Sequence, residues 1–471
     1  GSTLERIEVE KFISLGTCKG SDLLGFEATH PYLDRNSLII SGDHVTTDAG
    51  TGIVHTAPGN GLEDYAVSIQ NGIDVLNPVK GNGTYNEDVE HFAGQFVFKA
   101  NENITTLLKE RGVLLSKSSY EHSYPHCWRH KSPVMFRATP QWFISMEEKD
   151  LLKHSQNSID SINWAPTWGQ ARMSSMLEER PDWCISRQRS WGVPIALLIH
   201  KETGDLHPET SKIIEKVADL VELEGIQAWH DIEIKDLTND YESYEKITDC
   251  LDVWFDSGVT HACVLDVNED LHFPADLYLE GSDQHRGWFQ SSLLTSIAMK
   301  EVPPYKAVLT HGFVVDAEGK KMSKSLGNVI SPQKVWETMG ADVLRTWAAS
   351  ADYTKEIVLS DDILKRSSDS YRRIRNTIRF LLGNLSDYSG QKLAPEKLTE
   401  LDKWMILKTK NLQEEIIEHY LNYDFHHAFQ KIHNFCANDL GGFYLDILKD
   451  RLYTAKSTSD ARLSSQIALS N

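Results

Sequence analysis

The sequence predicts a three-part chain: an α/β core between a β-rich N-terminal module and an all-helical C-terminal module. Three observations carry this. Over about residues 136–350, helical periodicities alternate with buried-strand patterns at 277–280 and 307–309, the alternation that builds a parallel sheet. Over residues 1 to about 135, short apolar runs at 37–41, 52–55 and 95–99 are separated by Gly, Asn and Asp turns. From about 359 onward the apolar spacing is helical throughout. The boundaries are therefore 1–135, 136–358 and 359–471, and about three domains is the ordinary expectation for 471 residues.

In the first module a helix is expected near 103–111, ended by Gly112. Between Gly50 and Tyr65, two Gly-rich turns bracket a short strand and present His55 and Asp64 to one locus. A carboxylate can hold a ligand ammonium, and an imidazole can orient a hydroxyl or a water. A lone His/Asp pair is also a common structural device. His122, His126, Cys127 and His130 have ligand-like spacing, but no second pair with convincing spacing accompanies them, so no metal site is assigned.

In the core, residues 180–194 are dense in Trp and Arg, for which packing of guanidinium on indole is the default reading. Residues 200–250 read as a charged, loop-rich insert, and 252–258 as a strand followed by a turn that lines the main cleft. Residues 279–289 follow an expected strand and open a helix. Gly281 lets backbone approach a ligand closely. Glu280, Asp283 and Gln284 offer acceptors and an amide suited to a ribose and an amino group, and Trp288 offers a flat apolar wall. A capped helix start with a core tryptophan fits the same residues. His311 and Gly312 end the next strand, where they could frame a purine or serve the fold. Beyond them lies Lys321-Met322-Ser323-Lys324-Ser325, between Gly319 and Gly327. The ends of strands are where open α/β sheets bind ligands. Two ammonium groups on a hinged loop can follow charge as it develops on a leaving pyrophosphate. A Lys/Ser loop of arbitrary sequence is more often a solvated surface.

In the last module Tyr371, Ile374, Ile378, Leu381 and Leu382 share one helix face. Lys365, Arg366, Arg372, Arg373, Arg375 and Arg379 cover the rest, as a solvated face or as contacts for nucleic-acid phosphates. Further helices are expected at about 399–421, 423–437 and 438–450.

Bulk properties exclude some classes. No run of about 18 apolar residues exists, so no membrane partner is expected. Scattered cysteines at 18, 127, 184, 250, 263 and 436 read as reduced thiols of a cytosolic protein. A formal net charge of -20 argues against indiscriminate nucleic-acid binding but leaves room for a local basic face.

The stretch Lys321-Met322-Ser323-Lys324-Ser325 is identical to the second ATP-binding signature of class I aminoacyl-tRNA synthetases. A chance match of five specified residues has odds of roughly one in several thousand. With segments 279–289, 180–194 and 252–258, the chain resembles the bacterial isoleucyl-tRNA synthetases essentially end to end. His55 adds to this, because valyl and leucyl relatives usually lack a histidine there. The resemblance implies a Rossmann-type core, an inserted β-barrel editing domain and a helical anticodon-binding domain. It implies ATP with Mg2+, isoleucine and tRNA(Ile) as partners, and no zinc in this part of the family's fold. Lys324 would bind the ATP phosphates with Lys321 assisting, flanked by Met322 and Ser323. Glu280, Gly281, Asp283 and Gln284 would hold isoleucyl-adenylate, Trp288 would line the isoleucine side chain, and His311 and Gly312 would lie near the adenine. Asp64 would hold the amino group of a mischarged valine, with His55 helping to position it. Arg372 and Arg375 would meet tRNA.

The chain also departs from the family's pattern. It contains no His-x-Gly-His motif, no threonine-rich editing strand and no C-terminal cysteine-rich zinc module. Asn60 stands where relatives commonly carry histidine, and His130 where some carry a second cysteine. The expectation is therefore an internal fragment, inactive by itself, of an isoleucine–tRNA ligase. The alternative is a non-catalytic or trans-acting tRNA-binding module.

Overall fold

A computed structural model describes residues 12–46, 51–119, 121–127, 129–178, 180–323 and 326–471. The chain divides into two compact units, Gly1–Pro140 and Gln141–Asn471.

In the first unit, strands Glu27–Thr29 and Asn36–Leu38 pair antiparallel, with Glu27 opposite Leu38. Two helices follow, Leu62–Gln70 and Val97–Glu110. The β-rich expectation needs correction. Among the described residues this hairpin is joined only by isolated bridges, such as Thr84 with Phe96. The run at 52–55 is not a strand, and the run at 95–99 enters a helix. The reason lies in spacing: Val97, Ala100, Ile104, Leu107 and Leu108 recur at intervals of three and four, and Ala100 is fully buried. The helix stops before Gly112, whose φ of 69° suits a left-handed C-terminal turn.

The second unit is built on three parallel strands in the order Tyr278–Gly281, Ala307–His311, Asn163–Ala165. Parallel neighbours need a crossover. Helix Trp288–Lys300 supplies it between the first two, and it is buried continuously from Phe289 to Ile297. Phe289, Leu293, Leu294 and Ile297 pack with Trp164, Tyr278 and Val308 from the sheet, with Tyr305 just ahead of it, and with Ile159, Met173 and Leu177 beyond. This core fixes where the strands' C-terminal ends emerge.

The segment expected as a loop-rich insert has its own small core. Leu198–His200 pairs with Tyr244–Lys246, and helix Thr210–Glu224 covers the hairpin with Ile213 and Val217 beside Trp229. Its apolar stripe is only one residue wide, which a charged composition conceals. Residues 253–258 are likewise a helix rather than a strand and turn, because Asp252 caps it: Asp252 Oδ1 accepts from Trp254 N at 3.3 Å.

The C-terminal part is helical. Asp361–Gly383, Glu400–Leu421, Phe425–Asn434, a π-helical stretch Phe435–Tyr444, Leu445–Thr454 and Asp460–Ser470 follow in order. Met405, Leu440, Tyr444, Leu448 and Leu452 form their core. The buried carboxylate of Asp402 ties them, accepting from Tyr444 Oη at 2.7 Å, Thr399 Oγ1 at 2.7 Å and Ser464 Oγ at 2.5 Å. Of the face expected for Asp361–Gly383, Tyr371, Ile374 and Leu381 are half-buried as expected. Thr377 is buried, while Ile378 and Leu382 are 49% and 65% exposed. The helix serves two clusters, with Leu364 in one and Phe380 and Leu381 against the other, and the line joining them sets its rotation. Among the described residues no helix is long and apolar enough to cross a membrane.

Candidate active site

The parallel register sets Gly281 opposite His311 at the C-terminal ends of two strands. A β-carbon on Gly281 would stand 2.8 Å from Asp283 Oδ1 and 3.7 Å from His311 Cε1, so glycine keeps this mouth open. Glu280 and Asp283 are exposed at its edge. Gln284 already has work: its Oε1 accepts from Trp288 N at 3.0 Å and its Nε2 donates to Asp283 Oδ2 at 3.3 Å. Trp288 stacks on Tyr278 with centroids 4.0 Å apart, and its indole N–H donates to Ser257 O at 3.0 Å. Trp254 lies over Gly287, where any β-carbon would be 2.8 Å from its ring. Two tryptophans thus frame the opening of the helix, and Trp288 is fixed by Tyr278 and Ser257.

Behind them sits Asp252, 5% exposed. Besides capping its helix, its Oδ2 takes Arg187 Nη2 at 2.9 Å and the Trp183 indole N–H at 3.2 Å. Arg180 lies 5.7 Å over the Trp183 ring and donates to Gln290 Oε1 at 2.5 Å. The Trp/Arg segment therefore acts as scaffold around one buried carboxylate.

Sequence reading missed His285. It is fully buried between Trp164, Trp168 and Phe289, and Nδ1–H donates to Ser282 O at 3.2 Å. Burial pulls its pKa down to about 4. The unfolded chain then binds a proton near pH 6.5 that the folded chain refuses. Stability from this residue is fully present above pH 6.5 and is lost as pH falls toward 4, by on the order of 3 kcal/mol in all. His285→Phe should flatten the slope of urea-unfolding stability between pH 6.5 and 4, and an unchanged slope would contradict this. The signal in the sequence was its place, a histidine inside an otherwise ligand-facing turn.

His311 is half-buried, and its Nδ1–H donates to Gly312 O at 2.8 Å. Gly312 answers to the fold. Its N–H donates to Tyr353 O at 2.9 Å, and a β-carbon would stand 2.0 Å from Lys355 O. Only glycine admits that strand of backbone.

Lys324 and Ser325 lie outside the described residues. The rest of the lysine loop is a braced hairpin. Val314–Val315 pairs with Ile357–Val358, and Lys321 bridges back to Val315. Lys321 Nζ stands 3.7 Å above the Phe313 ring. Met322 packs beside Val335, Leu359 and Leu364. Ser323 N donates to Asn328 Oδ1 at 2.9 Å, and Asn328 Nδ2 donates to Asp316 Oδ2 at 2.7 Å. The Asn328 hydrogen bond, with backbone N–H groups of the turn, holds the Asp316 carboxyl below its usual range. Asp316 and Asn328 were not singled out from sequence. An Asp three residues before Gly319, with its φ of 75°, was the available turn signal.

In the first unit, Asp64 lies in the first turn of Leu62–Gln70 and Oδ2 accepts from Ala57 N at 3.1 Å. The imidazole beside it is His44, with Nε2 3.9 Å from Oδ1, while His55 is exposed. Cys127 Sγ is 3.5 Å from His130 Nδ1. In the second unit Arg372, Arg373 and Asn376 line one side of a concavity of ≈ 400 Å³, with Cys436, Ala437 and Gly441 opposite. Arg372 pairs with Asp369 at 3.3 Å, and Arg375 is exposed on the same helix.

Comparison with known proteins matches this arrangement to one family. A family model described as tRNA synthetases class I (I, L, M and V) matches residues 10–360, and one described as the anticodon-binding domain of tRNA ligase matches residues 402–470. The isoleucine–tRNA ligase of Idiomarina loihiensis is 56% identical over 469 residues, covering 99% of this chain and 50% of that protein. That of Methylococcus capsulatus is 57% identical over 467 residues, covering 98% and 50%. The chain thus spans about half the length of the curated relatives it matches. A solved Mycobacterium tuberculosis methionyl-tRNA synthetase in complex with methionyl-adenylate shares the fold, with a TM-score of 0.51 and 18% identity over 73% of this chain and 60% of that one.

Proposed function

This chain belongs to the class I tRNA synthetases of the isoleucine, leucine, methionine and valine group, and from that premise we propose that its activity is that of an isoleucine–tRNA ligase. The carrying observation is identity of 54–57% along nearly the whole chain to isoleucine–tRNA ligases, together with the complete Lys321-Met322-Ser323-Lys324-Ser325 loop. In the proposed reaction, the isoleucine carboxylate attacks the α-phosphorus of ATP. A C–O–P bond forms, the α–β phosphoanhydride breaks, and pyrophosphate leaves with the electron pair. ATP enters with Mg2+; a terminal ribose hydroxyl of tRNA(Ile) then attacks the adenylate carbonyl, an ester forms, the carboxyl–phosphate anhydride breaks and AMP leaves.

Lys324, assisted by Lys321, stabilises the charge gathering on pyrophosphate, and Met322 and Ser323 shape the loop. Glu280, Gly281, Asp283 and Gln284 hold the adenylate, Trp288 bounds the isoleucine side chain, and His311 and Gly312 border the adenine. Isoleucine-dependent ATP–pyrophosphate exchange by the full-length protein is the test. Exchange stimulated equally by leucine or methionine would defeat the assignment.

We further propose hydrolytic editing of valyl-tRNA(Ile) in a β-barrel inserted into the core, which the first unit would help to form. Apolar pockets gain only about 1–3 kcal/mol from one methylene, a general limit for which this family is the standard illustration. Asp64 holds the substrate ammonium there, with His55 in support. In the full-length ligase, Asp64→Ala should spare isoleucine activation and slow deacylation of valyl-tRNA by about tenfold or more. Normal deacylation would leave Asp64 with its structural contacts to Ala57 and His44.

The basic helix is proposed to meet tRNA. Arg372→Glu with Arg375→Glu should weaken tRNA binding and reduce its salt slope by about one to two contacts' worth, without altering exchange. An untouched slope would mark the face as merely solvated.

A further inference from the structure

We propose that His419, Asp424 and His427 form a binding site for one divalent transition-metal ion of the zinc class, seated in the turn between helices Glu400–Leu421 and Phe425–Asn434. The turn is sharp. Tyr423 is left-handed at φ 57°, and Asp424 N donates back to His419 O at 2.8 Å. That reversal sets a residue from the end of one helix beside residues from the start of the next. His419 Nδ1 lies 2.8 Å from Asp424 Oδ2. His427 Nδ1 lies 2.7 Å and 2.8 Å from the two carboxylate oxygens. One ligand atom from each residue falls within 4.8 Å of the others.

His426 Nδ1 is 3.2 Å from Asp424 Oδ1, is shut off from solvent, and makes no hydrogen bond. Three imidazole nitrogens thus crowd one carboxylate. As hydrogen-bond donors, each would need its proton on Nδ1, and the one on His426 is misaligned for that use. As ligands, the deprotonated nitrogens of His419 and His427 and the Asp424 carboxylate supply three positions of a tetrahedral ion, whose ligand atoms stand roughly 3.3 Å apart at bonds of about 2.0–2.1 Å, and leave the fourth to water. The imidazoles must rotate outward by a few tenths of an ångström, which the half-exposed His427 allows. A nitrogen-rich set of this kind prefers zinc, nickel or copper over magnesium or calcium.

The site has a route to the chemistry. Tyr423 O accepts from Tyr353 Oη at 2.8 Å, and Tyr353 O accepts from Gly312 N at 2.9 Å. An ion at Asp424 would brace the backbone that lies behind His311. The inference concerns residues outside the proposed reaction and stands or falls separately from it.

The test uses the purified 471-residue chain, stripped with chelator and titrated with Zn2+ by calorimetry, with bound metal counted after dialysis. The wild type should take up about one equivalent more than Asp424→Asn or His427→Ala, and its melting temperature should rise with Zn2+ only when both residues are present. Asparagine keeps the size and shape of the side chain and removes its charge, so Asp424→Asn separates ligation from packing in the turn. Diethylpyrocarbonate footprinting of the wild type needs no variant: Zn2+ should protect His419 and His427. Equal zinc uptake by wild type and variants, or no protection of these two histidines, would overturn the site.

Discussion

Lys324→Ala in the full-length ligase is expected to lower isoleucine-dependent ATP–pyrophosphate exchange by about 10²-fold or more, with isoleucine binding nearly unchanged. The split follows from where the ammonium acts. Charge builds on the leaving pyrophosphate only as the phosphoanhydride breaks, so a contact to it stabilises the transition state more than the bound substrates. Losing a factor of about 10² corresponds to about 2.7 kcal/mol, the ordinary yield of one such contact. The hairpin that carries the loop is braced. Asn328 joins Asp316 to Ser323, and Met322 is anchored in an apolar cluster. Lys321 is held over Phe313, so Lys321→Ala should cost less than Lys324→Ala. Single-turnover adenylate formation at saturating ATP would show both. A Lys324 variant with normal exchange would return the loop to a solvated surface.

Asp252→Ala is expected to destabilise the second unit by about 2–3 kcal/mol, from a lost helix cap and a buried indole N–H left without its acceptor. One carboxylate caps helix Val253–Gly258, neutralises Arg187 and receives the Trp183 indole. Its removal leaves Arg187 Nη2 without its acceptor and frees the helix start that carries Trp254 over Gly287. The damage should therefore reach the candidate pocket as well as the fold. Asp252→Asn retains the cap and should cost less than alanine. Urea unfolding monitored by tryptophan fluorescence gives both numbers. A loss below about 1 kcal/mol for alanine would mean that Arg187 finds solvent instead.

Much of the architecture was legible because helices and buried strands write their periods locally. The helix Glu400–Leu421 was expected at nearly its observed limits, and strand Ala307–His311 emerged where the apolar run stood. The β-rich reading failed at 95–99, where Phe96, Val97 and Phe98 suggest a strand. The burial of Ala100 and the half-burial of Ile104 show that tertiary contact selected the helical period. The stripe on Asp361–Gly383 held at Tyr371, Ile374 and Leu381 but missed Thr377 and failed at Ile378 and Leu382, because two clusters, far apart in the chain, share the helix.

By itself the sequence marked out the Lys321–Ser325 loop and the segment 279–289, since each is a short run that can be read without a distant partner. It also determined the succession of helices, whose pattern needs no distant partner. Tertiary structure alone decided that Gly312 must be glycine, because the clash is with Lys355 O across a packed backbone. It alone put His44, rather than His55, beside Asp64, and buried His285 against Trp164 and Trp168. It alone brought His419 and His427 onto one carboxylate through a left-handed Tyr423. Each of these depends on a distance between side chains or backbones that the chain brings together only when its apolar faces are buried, and no local spacing encodes that distance.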